Sequence, residues 1–153
     1  MIIPAILICL LALYAALIIF YWQSWKSVPV FVPGQQVPSI FISVIIPARN
    51  EEDNIGALLQ ALEQQTYPKE LFEIIVIDDH STDQTAAIVT QFPRVTLLQL
   101  KEDAINSYKK KAIETGIAAA KGELIVTTDA DCVPPPEWLA IIASFKKETD
   151  AVF

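Results

Sequence analysis

The chain has 153 residues, 53% of them apolar and 19% charged, with 18 acidic against 11 basic side chains and a formal net charge of -7. A chain this apolar, patterned into regular segments, is not disordered, and part of it belongs in lipid rather than water. The acidic balance excludes a nucleic-acid partner, because a phosphate backbone needs a basic surface. Two isolated cysteines, Cys9 and Cys132, make neither a disulfide framework nor a zinc site, which fits a reduced compartment.

From Ile2 to Trp22 no side chain is charged. At 1.5 Å per residue that run spans about 31 Å, the thickness of a bilayer core, so residues 1–23 are predicted to form a transmembrane helix. A cleaved signal peptide fits less well: there is no basic n-region, the run exceeds an h-region, and no small-x-small site follows it. Tyr21, Trp22 and Trp25 make an aromatic belt and Lys26 follows. The positive-inside rule then anchors the chain in the cell (inner) membrane with the remainder in the cytoplasm. Residues 24–40, with Pro29, Pro33 and Pro38, read as an extended spacer.

The domain occupies residues 41–153. Ile42 to Ile46 is a strand stopped by Pro47, and Ile55, Leu58, Leu59 and Leu62 share one face of a helix from Glu51 to Gln65. A strand from Glu73 to Ile77 meets Asp78-Asp79, and Ser81 caps a helix from Thr82 to Gln91. Val95 to Leu100 is a third strand, and a helix from Ala104 to Ala120 ends at Lys121-Gly122. A fourth strand, Glu123 to Thr128, precedes Asp129-Ala130-Asp131; Pro134 to Pro136 opens a helix to Lys147, and Ala151 to Phe153 begins another strand. Alternating strands and helices with near-continuous apolar strands define an α/β sandwich with a mainly parallel sheet.

Such sheets bind ligands outside the carboxyl ends of their strands, and three of those ends carry polar clusters: Arg49-Asn50-Glu51, Asp78-Asp79 and Asp129-Ala130-Asp131. Each alone has a plain reading, as a helix start, an Asx turn and a solvated turn. Together they put concentrated negative charge at one edge, which costs stability unless a cation or ligand offsets it. Carboxylates two apart on an extended chain point the same way, so Asp129 and Asp131 supply two oxygen ligands and leave other positions to water and phosphate. That is how Mg²⁺ or Mn²⁺ is held beside a diphosphate. Charges at these ends, Asp79 among them, are expected to be exposed to the crevice. The run Lys109-Lys110-Lys111 is equally a solvated helix face or a group beside a phosphate.

Three ordered segments, Ser43 to Glu52, Glu73 to Thr85 and Gly122 to Asp131, resemble the motifs of the family 2 glycosyltransferases. The resemblance implies a GT-A type, Rossmann-like fold and a nucleotide-diphosphate sugar donor, a UDP-sugar, bound with Mg²⁺ or Mn²⁺. It implies a nucleotide pocket of Pro47, Arg49, Asn50, Glu51, Asp78, Asp79 and Lys111, with Asp79 or Asp78 accepting from the base. Asp131 leads the metal pair with Asp129. Glu114 stands where relatives carry Asn, and His80 where they often carry Gly; His80 is read as a loop residue. Transfer is expected to be inverting, to a carbohydrate or lipid acceptor, with the general base beyond Phe153. Residues 41–153 are thus expected to be the nucleotide-sugar-binding half of a domain cut short at its carboxyl end. Two other readings stand beside it: a receiver-like phospho-accepting signalling domain, and a catalytically inert membrane-anchored assembly module.

Overall fold

The computed structural model describes residues 2–28, 39–100 and 108–149. The chain divides into two compact units, Met1–Val32 and Pro33–Phe153. The first holds helix α1 (Ile2–Ser27), 26 residues with an 18-residue window of mean hydropathy 2.9 and no buried side chain, long and apolar enough to cross a membrane. It runs past the predicted end at residue 23 because Gln23, Ser24, Trp25 and Lys26 contain no helix breaker before Pro29. Lys26, one turn after Trp22, places its ammonium 4.6 Å from the indole centroid.

The second unit is built on four parallel strands, β1 (Ile42–Ala48), β2 (Phe72–Asp78), β3 (Val95–Gln99) and β4 (Leu124–Thr127), in the order β3-β2-β1-β4. The central strands β1 and β2 are apolar at nearly every position because helices cover both faces. Ile42, Val44, Ile46, Ile74 and Val76 point to the face covered by α2 (Ile55–Glu63), α3 (Thr85–Val89) and α5 (Trp138–Thr149). Ile45, Ile75 and Ile77 point the other way, against Ala112 of α4 (Tyr108–Ala119). Full burial of each such side chain stabilises by roughly 1.5–3 kcal/mol. Close approach of α4 depends on Gly116, where a Cβ would lie 2.5 Å from Ile45 Cγ2 and 2.8 Å from Ile77 Cδ1.

Polar groups fix the register at the amino end of the sheet. The Ser43 hydroxyl donates to Glu73 Oε1 at 2.6 Å and accepts the Gly122 N–H at 2.8 Å, while the Lys121 N–H reaches the same Glu73 oxygen at 2.7 Å. The start of β4 is thereby tied to β1 and β2. Among the described residues β4 is the last strand on this side of the sheet, and an apolar groove of ≈ 690 Å³ runs along it between Ile117, Ile125, Val126, Ile142 and Phe145.

Several element boundaries differ from the sequence expectation, four of them with a bearing on the site or its supports. Pro47 lies within β1 rather than stopping it, paired in register with Ile77. Because Ala48 accepts from Asp79 of the β2 side, the preceding residue faces β4, which has already ended at Thr127, and the N–H that Pro47 lacks has no strand partner to lose. Helix α2 begins at Ile55, because Glu51 to Asn54 form a turn whose Glu51 carbonyl accepts the N–H groups of Asn54 and Ile55. Helix α5 begins at Trp138 because the Pro135 and Pro136 carbonyls are taken by Gln65 Nε2 and the Thr66 N–H, while Gln65 Oε1 accepts the Leu139 N–H at 3.0 Å. Helix α3 begins at Thr85, not Thr82. The predicted strand from Ala151 to Phe153 and the first residues of the predicted helix from Ala104 lie outside the described residues.

Candidate functional site

The strand order places a topological switch between β1 and β4: the chain leaves β1 for β2 and β3 on one side, then returns to β4 on the other. Loops from adjacent strands diverge at such a point and open a crevice at their carboxyl ends. Here the crevice is a cleft of ≈ 410 Å³ lined by Pro47, Ala48, Arg49 and Glu51 from the end of β1, Asp79 from β2, Lys109 and Ala112 from α4, and Asp129, Ala130 and Asp131 from β4. The fold thus brings all three predicted clusters to one place. Of the predicted site residues, Pro47, Arg49, Glu51, Asp79, Asp129 and Asp131 line the cleft; Asn50, Asp78 and Lys111 are not part of its lining.

Asn50 and Asp78 serve the loops instead. Asp78 is buried, and its Oδ1 accepts the Ser81 N–H at 3.1 Å, closing an Asx-type turn that aims the next carboxylate, Asp79, into the cleft. Asn50 and His80 have φ of 54° and 56°, in the left-handed region where Asn is tolerated and Gly is cheapest. Facing each other, the two loops exchange six hydrogen bonds. The Asn50, Glu51 and Glu52 N–H groups donate to Ser81 Oγ, Thr85 Oγ1 and Asp83 Oδ2; in return Asn50 Oδ1 accepts from the N–H and hydroxyl of Thr82, and Glu52 Oε2 from the Gln84 N–H. Ser81 is therefore not the predicted helix cap. Its oxygen is needed by Asn50, the N-cap position falls to Gln84, and Asp83 Oδ1 just before it accepts the Thr85 N–H at 2.9 Å and hydroxyl at 2.6 Å. Although burial pushes the other way, these bonds from Thr85 and the one from Glu52 hold the Asp83 carboxyl below its ordinary value.

Asp79 is buried, with 6% of its surface exposed, where the sequence reading expects a charge open to the crevice. The neighbours that cover it also pair with it. Arg49 Nη1 stands 3.5 Å from Oδ2 and His80 Nδ1 3.0 Å from Oδ1. A carboxylate held on both oxygens is a fixed acceptor aimed at one spot.

Across the cleft the geometry loosens. Asp129, Ala130 and Asp131 lie in a turn in which the Cys132 N–H reaches the Asp129 carbonyl at 3.3 Å, not on the extended chain that the alternation argument assumes. Both carboxylates still border the cleft, brought there by the turn while Ala130 packs into the core. Asp129 Oδ1 is 2.7 Å from Lys109 Nζ, with both side chains more than half exposed. That hydrogen bond, its charge and the more distant Asp131 raise the Lys109 ammonium above the ordinary lysine value. The two carboxylates are hard oxygen donors with room left for water and phosphate, which fits a Mg²⁺ or Mn²⁺ site shared with a ligand; among the described residues no group of three or more His, Cys, Asp or Glu forms a metal cage.

Lys109 rather than Lys111 borders the cleft, and the sequence held a signal for it. Lys109, Ala112 and Gly116 recur at helical spacing, and the two small residues mark the side of α4 that lies on the sheet. Glu114 faces away, with Lys110 at 3.9 Å, and Glu137 is exposed ahead of α5.

A parallel sheet in the order β3-β2-β1-β4, with a charged cleft at its switch point, defines a doubly wound type of α/β domain. Residues 43–153 match the family glycosyl transferase family 2, and the chain belongs to that family. It is 37% identical over 102 residues to Glycosyltransferase AglE of Haloferax volcanii, covering 65% of this chain and 33% of that one. Mannosyltransferase PcManGT from Pyrobaculum calidifontis, in complex with GDP-Man and Mn²⁺, superposes with a TM-score of 0.72 at 28% identity, covering 88% of this chain and 41% of that one. Staphylococcus aureus TarS 1-349 in complex with UDP-GlcNAc gives a TM-score of 0.61 at 33% identity, covering 72% and 32%. The fold is the GT-A type that the resemblance implies, in an enzyme family of the transferase class. The chain spans 33% or less of the length of AglE and of the next curated relatives it matches. Family membership removes the ground for the receiver-like reading.

Proposed function

We propose that this chain carries the donor site of a membrane-anchored glycosyltransferase that takes a nucleotide-diphosphate sugar, a UDP-sugar by the resemblance, with Mg²⁺ or Mn²⁺. The observation that carries the reading is the single cleft in which Asp79 with Arg49 and Glu51 faces Asp129 with Asp131. Asp79, fixed by Arg49 and His80, accepts from the base, and the loop from Pro47 to Glu51 walls the pocket. Asp129 and Asp131 hold the divalent ion, which when bound supplies positive charge to the leaving diphosphate. The Mn²⁺ and GDP-Man of the Pyrobaculum structure and the UDP-GlcNAc of the Staphylococcus structure support a nucleotide-sugar donor and a divalent ion.

Transfer with inversion also needs a carboxylate to take the acceptor proton. The carboxylates that line the cleft are committed to the donor in this scheme, and among the described residues neither Glu114 nor Glu137 borders it, so we assign the base and the carbohydrate or lipid acceptor contacts to residues outside this set. Helix α1 serves as the anchor, with the domain on the cytoplasmic side by the position of Lys26.

Calorimetric titration of UDP into the detergent-solubilised chain, with and without Mn²⁺, tests the reading. Binding that depends on Mn²⁺ is expected. Equal affinity without metal removes the metal role of Asp129 and Asp131, and no binding under either condition favours the inert assembly module.

A further inference from the structure

Two cations border the cleft, and they are held in opposite ways. Arg49 is matched to a buried carboxylate, Asp79, on the wall of the pocket. Lys109 stands on an exposed carboxylate, Asp129, with 63% of its own side chain and 56% of its partner's open to solvent. The Lys109 ammonium therefore occupies an oxygen that the proposed function gives to the divalent ion. It does so through a contact that water and salt weaken.

Its place in α4 sharpens the point. Lys109, Lys110 and Lys111 follow one another in the first described turn of that helix. Lys110 has the Glu114 carboxylate one turn on, at 3.9 Å. Lys109 instead reaches 20 residues along the chain and out of its helix to Asp129, at 2.7 Å. A lysine so placed has a long flexible stem and a single exposed tether, with free space of ≈ 410 Å³ beside it.

We propose that Lys109 is the cleft's resident counter-ion: it holds Asp129 while the cleft is empty and transfers to the donor's diphosphate when the divalent ion takes Asp129. This rests on the donor-site reading above. The charge balance gives the consequence. A divalent ion arriving alone must displace Lys109 and then sits beside an ammonium that has lost its hydrogen-bonded carboxylate, so binding of the ion alone is opposed. An ion arriving with a diphosphate leaves the ammonium a new partner of the same sign as the old one. Lys109 therefore couples the two ligands, and the coupling is reciprocal.

The test uses the full 153-residue chain in detergent and two exposed-lysine variants, Lys109→Met and Lys110→Met, with circular dichroism to establish that both fold. Free Mn²⁺ is followed by electron paramagnetic resonance without nucleotide, and UDP affinity by calorimetry at saturating Mn²⁺. For Lys109→Met the Mn²⁺ affinity without nucleotide is expected to rise by about fivefold and the UDP affinity with Mn²⁺ to fall by about tenfold, so that the coupling shrinks. Lys109→Arg should restore most of it, and Lys110→Met should change neither. If the wild-type chain binds UDP in a Mn²⁺-dependent way while Lys109→Met leaves both affinities unchanged, the inference fails and the donor-site reading stands. Equal effects from Lys109→Met and Lys110→Met would reduce it to general charge and overturn it. A wild-type chain with no Mn²⁺-dependent UDP binding overturns both.

Discussion

On one side of the cleft, the loops after β1 and β2 exchange six hydrogen bonds, and Asp79 is buried between Arg49 and His80. On the other, Asp129 and Asp131 sit exposed in a turn, with Lys109 on Asp129. The first side is arranged before any ligand arrives, which suits the base recognition proposed for it, because acceptors that need not be ordered on binding cost little entropy. The second side is held by a weak exposed contact, as suits groups that exchange partners whenever an ion and a diphosphate come and go. In the proposed donor site, one sheet edge thus combines a fixed acceptor with a replaceable charge.

The comparison breaks first at the metal side. Asp131→Ala is expected to lower Mn²⁺-dependent UDP affinity on the order of 100-fold, close to 3 kcal/mol, because one of two carboxylates is lost from the ion. Its thermal midpoint by circular dichroism should not move. A lowered midpoint would make Asp131 a structural turn residue instead.

A second perturbation acts on the helix that carries Lys109. In Gly116→Ala the new methyl would lie 2.5 Å from Ile45 Cγ2, so α4 must lift from the sheet. Overpacking of this kind costs about 1–3 kcal/mol, read as a lower urea midpoint, and the shift of α4 should disturb Mn²⁺ coupling more than metal-free nucleotide contacts. On the fixed side, Asp79→Asn keeps the shape and removes the charge, and roughly tenfold weaker UDP binding is expected with a folded spectrum, since bonds to charged acceptors are the stronger ones.

The smallest effect is assigned to the latch between the loops. Asp83→Ala removes the acceptor for Thr85 and Glu52 and should weaken UDP binding about fivefold while leaving Mn²⁺ binding alone unchanged. The acid response follows from the same carboxylate. Its value in the folded chain is below the ordinary 3.8, so ionised Asp83 favours the folded loop above that pH, and the contribution is lost only as pH falls through the lower folded value. The Thr85 amide resonance should therefore hold steady from pH 7 to pH 4 and shift only below 3.8.

Much of the scaffold was legible because its signals are local. Strand and helix alternation, the apolar face of α2 from Ile55 to Leu62, and the crossing of both faces by β1 and β2 follow from side-chain period alone. The sheet edge that gathers the acidic clusters followed from the parallel topology. Local rules failed where a distant group claimed the same atom. Ser81 precedes a helical pattern and reads as a cap, yet its oxygen goes to Asn50, 31 residues away, and the helix starts later, with Asp83 on the Thr85 N–H. Asp78 and Asp79 are alike in sequence, and the turn closed by Ser81 decides that Asp79 alone enters the cleft.

The sequence by itself determined the family, the parallel α/β order, the apolar amino-terminal helix and the identity of the acidic groups, because composition, period and motif order are carried by neighbours along the chain. Only the tertiary structure decided which of three lysines meets Asp129, that Asp79 is buried rather than open, and that Asp129 and Asp131 face the cleft from a turn. Those outcomes depend on how close α4 lies to β1 and on which loops face each other. Both are set by packing between residues far apart in sequence, notably Gly116 on Ile45 and Asn50 on Ser81 and Thr82, and no local pattern encodes the distance between them.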